Sequence, residues 1–70
     1  PSEMKSVGEQ KTALRRLTPL TLDFAVVEFD YENDNFLVQL FDPKEESLSQ
    51  FNTWRTQNYP ALTNEQFVIN

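Results

Sequence analysis

A small single α+β domain is the fold class this sequence predicts: an N-terminal arm or short helix, a β-hairpin, one covering helix and a closing short strand (β-β-α-β). Three observations carry that expectation. Two runs rich in Val, Phe, Leu and Tyr flank Glu32-Asn33-Asp34-Asn35; a helix-start signature follows at Asp42-Pro43-Lys44-Glu45; and the chain ends on the apolar, partly β-branched run Phe67-Val68-Ile69. Residues 1–12 read as a flexible or partly helical arm and residues 13–70 as the domain.

The arm is polar, with Gly8 in its middle, which favours mobility. Met4, Val7, Lys11 and Leu14 nevertheless fall at the a and d positions of two heptads, a spacing that fits the tail of a coiled coil. Two heptads are short for an isolated helix. The preferred reading is a short helix over Lys11 to Leu17 that packs Leu14 and Leu17 on the sheet. Pro19 ends it, because the residue before a proline is pushed out of the α region.

Leu20, Leu22 and Phe24 alternate on one side, whereas Val27, Phe29 and Tyr31 have the opposite parity. A bulge near Ala25-Val26, or burial of the first part on both faces, would reconcile them. This long first strand is the expected centre of the sheet. Asn33-Asp34 suits the central pair of a tight primed turn, since both residue types tolerate positive φ. That turn pairs Tyr31 with Phe36, Phe29 with Val38 and Val27 with Leu40 on an apolar face. The other face then receives Asp30 with Leu37, Glu28 with Gln39 and Val26 with Phe41. A one-residue slip would bury Glu28 and Asp30, so the pattern selects the faces.

Asp42 can cap the following helix, Pro43 suits its first position, and Glu45 and Glu46 suit the positive end of its dipole. Arg55 suits the other end. Leu48, Phe51, Trp54 and Tyr59 span an arc roughly 140° wide at about 100° per residue. That arc should cover the apolar side of the hairpin, and Asn58-Tyr59-Pro60 closes the helix. Thr63 to Gln66 has the outline of a capping box, but the run after it is too short for a helix. A final strand with Phe67 and Ile69 inward is expected, parallel to the second strand by the right-handed crossover rule. It is placed beside the first strand, so as to centre the longest one.

Charge is unevenly placed. The net charge is −5, yet eight of the eleven acids lie between Asp23 and Glu46, where Lys44 is the one base, giving that stretch −7. The first sixteen residues carry Lys5, Lys11, Arg15 and Arg16 against Glu3 and Glu9. An acidic body argues against direct nucleic-acid binding, which draws its affinity from Lys and Arg on phosphates. It permits docking to a basic protein surface. The chain has no Cys and no His, which removes disulfides, thiolate metal sites and the commonest general base near neutral pH. No apolar run has the length of a membrane span. A soluble, intracellular protein is the expectation, and an opening on Pro1 fits a processed product or a segment of a longer one.

Catalytic and cofactor patterns are not matched. Asp30, Glu32 and Asp34 open like a calcium loop, but Asn35 and Phe41 stand where such a loop needs Gly and Glu. Glu28 and Asp30 share a strand face with no sign of a pocket, Ser47 and Ser49 have no activating base nearby in sequence, and Gly8 is the one glycine. The aromatics alternate with acids rather than with the bases a single-strand nucleic-acid binder would use. No enzyme activity, cofactor, metal or small-molecule substrate is therefore expected. The expected function is a protein–protein interaction module, part of a larger protein or assembly. It would bind another protein, or a second copy of itself, through Val26, Leu37 and Phe41, flanked by Glu28, Asp30 and Gln39. Trp54, at the edge of the helix arc, reads equally as core or as an interface anchor. The alternative is a small acidic inhibitor that mimics nucleic acid and blocks a basic site on an enzyme.

Overall fold

A computed structural model describes residues 6–70. The expected α+β architecture is present, with one more strand than the hairpin reading supplies. Helix α1 (Val7–Leu17) is followed by strands β1 (Leu20–Thr21), β2 (Ala25–Asp30) and β3 (Asn35–Leu40). Helix α2 (Lys44–Asn58), a single 3-10 turn (Asn64–Gln66) and strand β4 (Phe67–Ile69) complete the chain. The sheet order is β1-β2-β3-β4, antiparallel except for the parallel β3–β4 pair.

Helix α1 starts earlier than its apolar spacing suggests because Ser6 and Glu9 form a reciprocal capping box. The Glu9 amide donates to Ser6 Oγ (3.2 Å) and the Ser6 amide to Glu9 Oε1 (3.1 Å), which satisfies two of the helix's orphan donors. Leu14 is fully buried, as expected, but Leu17 is 54% exposed and does not pack on the sheet. Its place is taken by Gln10, a buried polar residue whose Oε1 accepts the Ala61 amide at 2.8 Å. Of the heptad positions, Val7 is exposed and Leu14 serves the domain's own core; Met4 lies outside the described residues.

The long first strand is in fact two strands. The chain reverses over Asp23-Phe24, with the Leu22 amide donating to the Ala25 carbonyl at 2.7 Å, so that Leu20 faces Val27 and Thr21 faces Val26. A tight turn, rather than a bulge, accounts for the parity switch. Neither turn residue has positive φ, so the reversal is not of the primed type that matches strand twist, and pairing is short. Because β1 occupies one side of β2, the closing strand lies beside β3 and not beside the first strand.

The β2–β3 register differs from the expected one by two residues. Phe29 faces Phe36, Val27 faces Val38, Glu28 faces Leu37 and Asp30 faces Asn35. The loop is therefore Tyr31 to Asp34, with Asp34 alone at positive φ (58°). Asp30 organises it: its carboxylate accepts Asn33 Nδ2 at 2.7 Å, the Glu32 amide at 3.0 Å and the Asn33 amide at 3.4 Å. This local capture of backbone donors competes with a two-residue turn. A shift of two preserves the faces, since side chains alternate with period two. Tyr31 is the casualty: it lies in the loop, 75% exposed, with its ring edge on Phe29.

The Asn33 side-chain bond, aided by the two amides and opposed by desolvation, holds the Asp30 carboxyl below its ordinary value of 3.8. A folded-state pKa below the unfolded one favours the fold above the unfolded value and loses that advantage as pH falls through the folded value. Stability should thus decline below about pH 4, and Asp30→Asn, which keeps an acceptor but no titrating group, should remove part of the decline. Urea unfolding of both proteins at about pH 6 and about pH 3 checks this. An identical stability difference at the two pH values would refute the attribution.

Helix α2 begins one residue later than expected. Pro43 occupies the N-cap position with no side-chain cap, so Asp42 stays outside the helix and does not cap it. Glu45 and Glu46 lie in the first turn and Arg55 in the last, as the dipole favours. The buried face is rotated from the expected arc. Phe51 is fully buried, but Leu48 is 38% exposed, and Ser47 is buried in its stead. Ser47 Oγ donates to the Phe41 carbonyl at 2.7 Å, tying the helix to the end of β3. Tyr59 lies just past the helix, at its C-cap. Its ring packs on Trp54 (5.4 Å between centroids), and burial pushes its phenol above the ordinary range.

The capping-box outline at Thr63 is real and precedes the strand. Thr63 and Gln66 cap the 3-10 turn reciprocally, and β4 follows at once, with Phe67 buried. The core joins Leu14, Ala25, Val27, Phe36, Val38, Leu40, Phe51, Leu62 and Phe67. Phe36 stacks on Phe67 (5.4 Å), and Phe51 meets Phe67 edge-on (5.2 Å). Both helices thus bury their apolar residues against the same face of the sheet.

Candidate functional site

With α1 and α2 on one side, the opposite face of the sheet is left without a covering element among the described residues. Strand alternation brings Thr21, Val26, Glu28, Asp30, Leu37, Gln39 and Val68 to it. Phe41 continues the row just past β3, its amide donating to the Phe24 carbonyl at 3.0 Å. Six of the seven residues singled out from the sequence, Val26, Glu28, Asp30, Leu37, Gln39 and Phe41, therefore share one surface. Their pairing differs from expectation: Glu28 faces Leu37 and Val26 faces Gln39.

The face is mixed in polarity. Val26 and Leu37 are half-buried, Phe41 is 39% exposed, and Glu28 and Gln39 are exposed. Val68 of β4 lies beside Leu37 and is 43% exposed. Sequence reasoning placed Phe67 and Ile69 inward, which leaves Val68 outward, but its contribution to this surface depended on which neighbour β4 chose. A small depression of about 120 Å³ lies between Val26, Glu28, Leu37, Gln39 and Asn70.

Trp54 is not part of this surface. It sits half-buried on the helix layer, with its ring 5.8 Å from that of Phe51 and 5.4 Å from that of Tyr59. Ser47 is engaged with the Phe41 carbonyl. Asp34 forms an ion pair with Lys11 at 2.9 Å, a surface contact of the kind worth about 0–1 kcal/mol. Among the described residues no cluster of three or more His, Cys, Asp or Glu is arranged to hold a metal ion. No helix among them is long and apolar enough to cross a membrane.

The described residues form a two-layer α+β domain with one sheet face that none of them covers. Comparison of the chain with protein-family models, curated proteins and solved structures found no match.

Proposed function

We propose that the chain is a non-enzymatic protein–protein interaction module, and that the bare sheet face docks a partner protein whose surface has an apolar centre and basic groups around it. The observation that carries this reading is the placement of both helices on one side, which leaves Val26, Leu37, Phe41 and Val68 interleaved with acids on the other. Contiguous apolar surface rimmed by polar residues is characteristic of interfaces. Full burial of such a side chain stabilises by about 1.5–3 kcal/mol, and Val26 and Leu37 are already half-buried. Association costs an estimated 4–15 kcal/mol, so the apolar contacts by themselves fall short. Glu28 and Asp30 must add charge-assisted contacts, and this selects a partner with Lys or Arg at its rim. The same charges disfavour a second copy of this face.

Leu37→Asp combined with Phe41→Asp is the test. Both side chains are partly exposed, so the double variant should keep the wild-type circular dichroism spectrum while losing the partner that the wild-type protein captures. A folded double variant that retains the same partner at unchanged affinity would sink the reading. Salt distinguishes the acidic-mimic alternative, which rests on the −7 stretch. Binding that weakens steeply with salt and collapses on neutralising Glu28, Asp30, Glu32 and Asp34 would favour it.

A further inference from the structure

The attachment of α1 bears on how two copies of this chain meet. Two residues, Thr18 and Pro19, join the helix to β1. Among its described residues Leu14 is the one fully buried apolar side chain, and Lys11 ties it to Asp34 of the β2–β3 loop by a surface ion pair. The helix carries Lys11, Arg15 and Arg16 against Glu9, whereas the stretch from Asp23 to Glu46 stands at −7. Such attraction acts on the acidic stretch of any copy, the helix's own or another's. Leu17, at the end of α1, is exposed. Pro19 and Tyr31 are exposed as well, on a groove of about 300 Å³ that Thr18, Glu28 and Phe29 also line.

We propose that α1 is exchanged between two copies of this chain, so that Leu14 of each copy fills the core of the other. An exchanged helix makes the same contacts as a folded-back one, so the dimer needs only a small further gain. Folded back on a two-residue hinge, α1 meets its own site at roughly millimolar effective concentration. Exchange by itself therefore competes only near millimolar protein, and a new contact must shift the balance. The hinge supplies that contact. From Leu17 to Leu20 the chain reaches at most about 11 Å, so the two hinges lie close together about the two-fold axis. There Leu17, Pro19 and Tyr31 of one copy face the same residues of the other and leave water. Arg16 before the patch and Glu32 after it give it both signs, which suits a surface that meets its own copy. Short hinges favour this route. The exchange is independent of the bare sheet face, because Leu37 and Phe41 lie on the side of the sheet away from α1.

The Lys11–Asp34 pair provides the test, because it lies within one chain when α1 folds back and between chains when α1 is exchanged. Lys11→Asp and Asp34→Lys each set like charges together in every closed chain. The pair is on the surface, so neither variant threatens the fold. Refolded together from urea at about 1 mM total protein, the two variants should give a heterodimer in which both pairs are opposite in sign. Native mass spectrometry should show it about tenfold above its statistical share, an excess that falls in high salt. Leu17→Ser should lower the dimer share of the otherwise unchanged chain several-fold while keeping the monomer's circular dichroism spectrum. Leu37→Asp with Phe41→Asp should leave the dimer share unchanged. A dimer joined through any other surface keeps the like charges inside each chain and gains nothing from the mixed pair. Wild-type protein that sediments as a monomer at about 1 mM, a heterodimer at no more than its statistical share, or loss of the dimer in Leu37→Asp with Phe41→Asp would each overturn the proposal.

Discussion

Phe36→Ala is expected to leave the chain close to unfolded at physiological temperature. The ring is fully buried in the centre of the sheet, edge-on to Phe29 at 4.9 Å and stacked on Phe67 at 5.4 Å. Truncating a buried Phe costs about 3–5 kcal/mol, through lost transfer energy and the cavity left behind. A domain of this size has roughly 4–10 kcal/mol in total. The expected fall in melting temperature is about 12–40 °C, with a matching drop in the urea midpoint. Phe36→Leu should lose markedly less, because it retains most of the apolar volume. A loss below about 1 kcal/mol for the alanine variant, the scale of an ordinary surface change, would show that the ring does not hold the two layers together.

Leu14→Ala should detach the first helix. Among the described residues Leu14 is the one fully buried apolar side chain of α1. Other ties include the Gln10 bond to the Ala61 amide, the Lys11–Asp34 pair and Arg15 over the Phe29 ring. An isolated helix of this length is marginal in water, so α1 depends on docking. The expected cost is about 2–5 kcal/mol, and it should appear first as local opening. Amide hydrogen exchange should show α1 losing protection ahead of β2 and β3. Wild-type protection across α1 in this variant would mean that the polar ties suffice.

The faces of the sheet were legible in the sequence, whereas the register was not. Period-two alternation in Val27, Phe29, Phe36, Val38 and Leu40 reports which side is buried, and any even shift satisfies it equally. The register is decided by Asp30, whose carboxylate collects donors from Glu32 and Asn33 and lengthens the loop to four residues. The signal for that was present as an Asp two and three residues before available amides. Ser6 and Glu9 likewise had the spacing of a capping box, and it places the start of α1 at Val7. The split of the first strand is half visible: the parity switch between Phe24 and Val27 suggests a bulge or burial on both faces, although a reversal over Asp23-Phe24 explains it too. The position of β4 then followed from that split, because β1 had already taken the neighbouring place. Burial of Gln10 was beyond sequence reasoning, since its partner amide lies fifty-one positions away. Burial of Ser47 rather than Leu48 depends on the rotation of α2 set by its anchor at Phe41. For the bare sheet face, parity alone suffices to gather six of its residues, while Val68 and Trp54 are placed by tertiary packing.

The position of Trp54 has a practical consequence. It is the chain's sole tryptophan, held between Phe51 and the Tyr59 ring on the layer remote from the bare sheet face. Separation of α2 from the core exposes its indole to water and removes Tyr59 as a close donor of excitation energy. A molecule landing on Leu37 and Phe41 touches neither. The protein thus carries an optical reporter of its own unfolding, set apart from the bare sheet face, so the opening of the helix layer can be followed in one cuvette without a label.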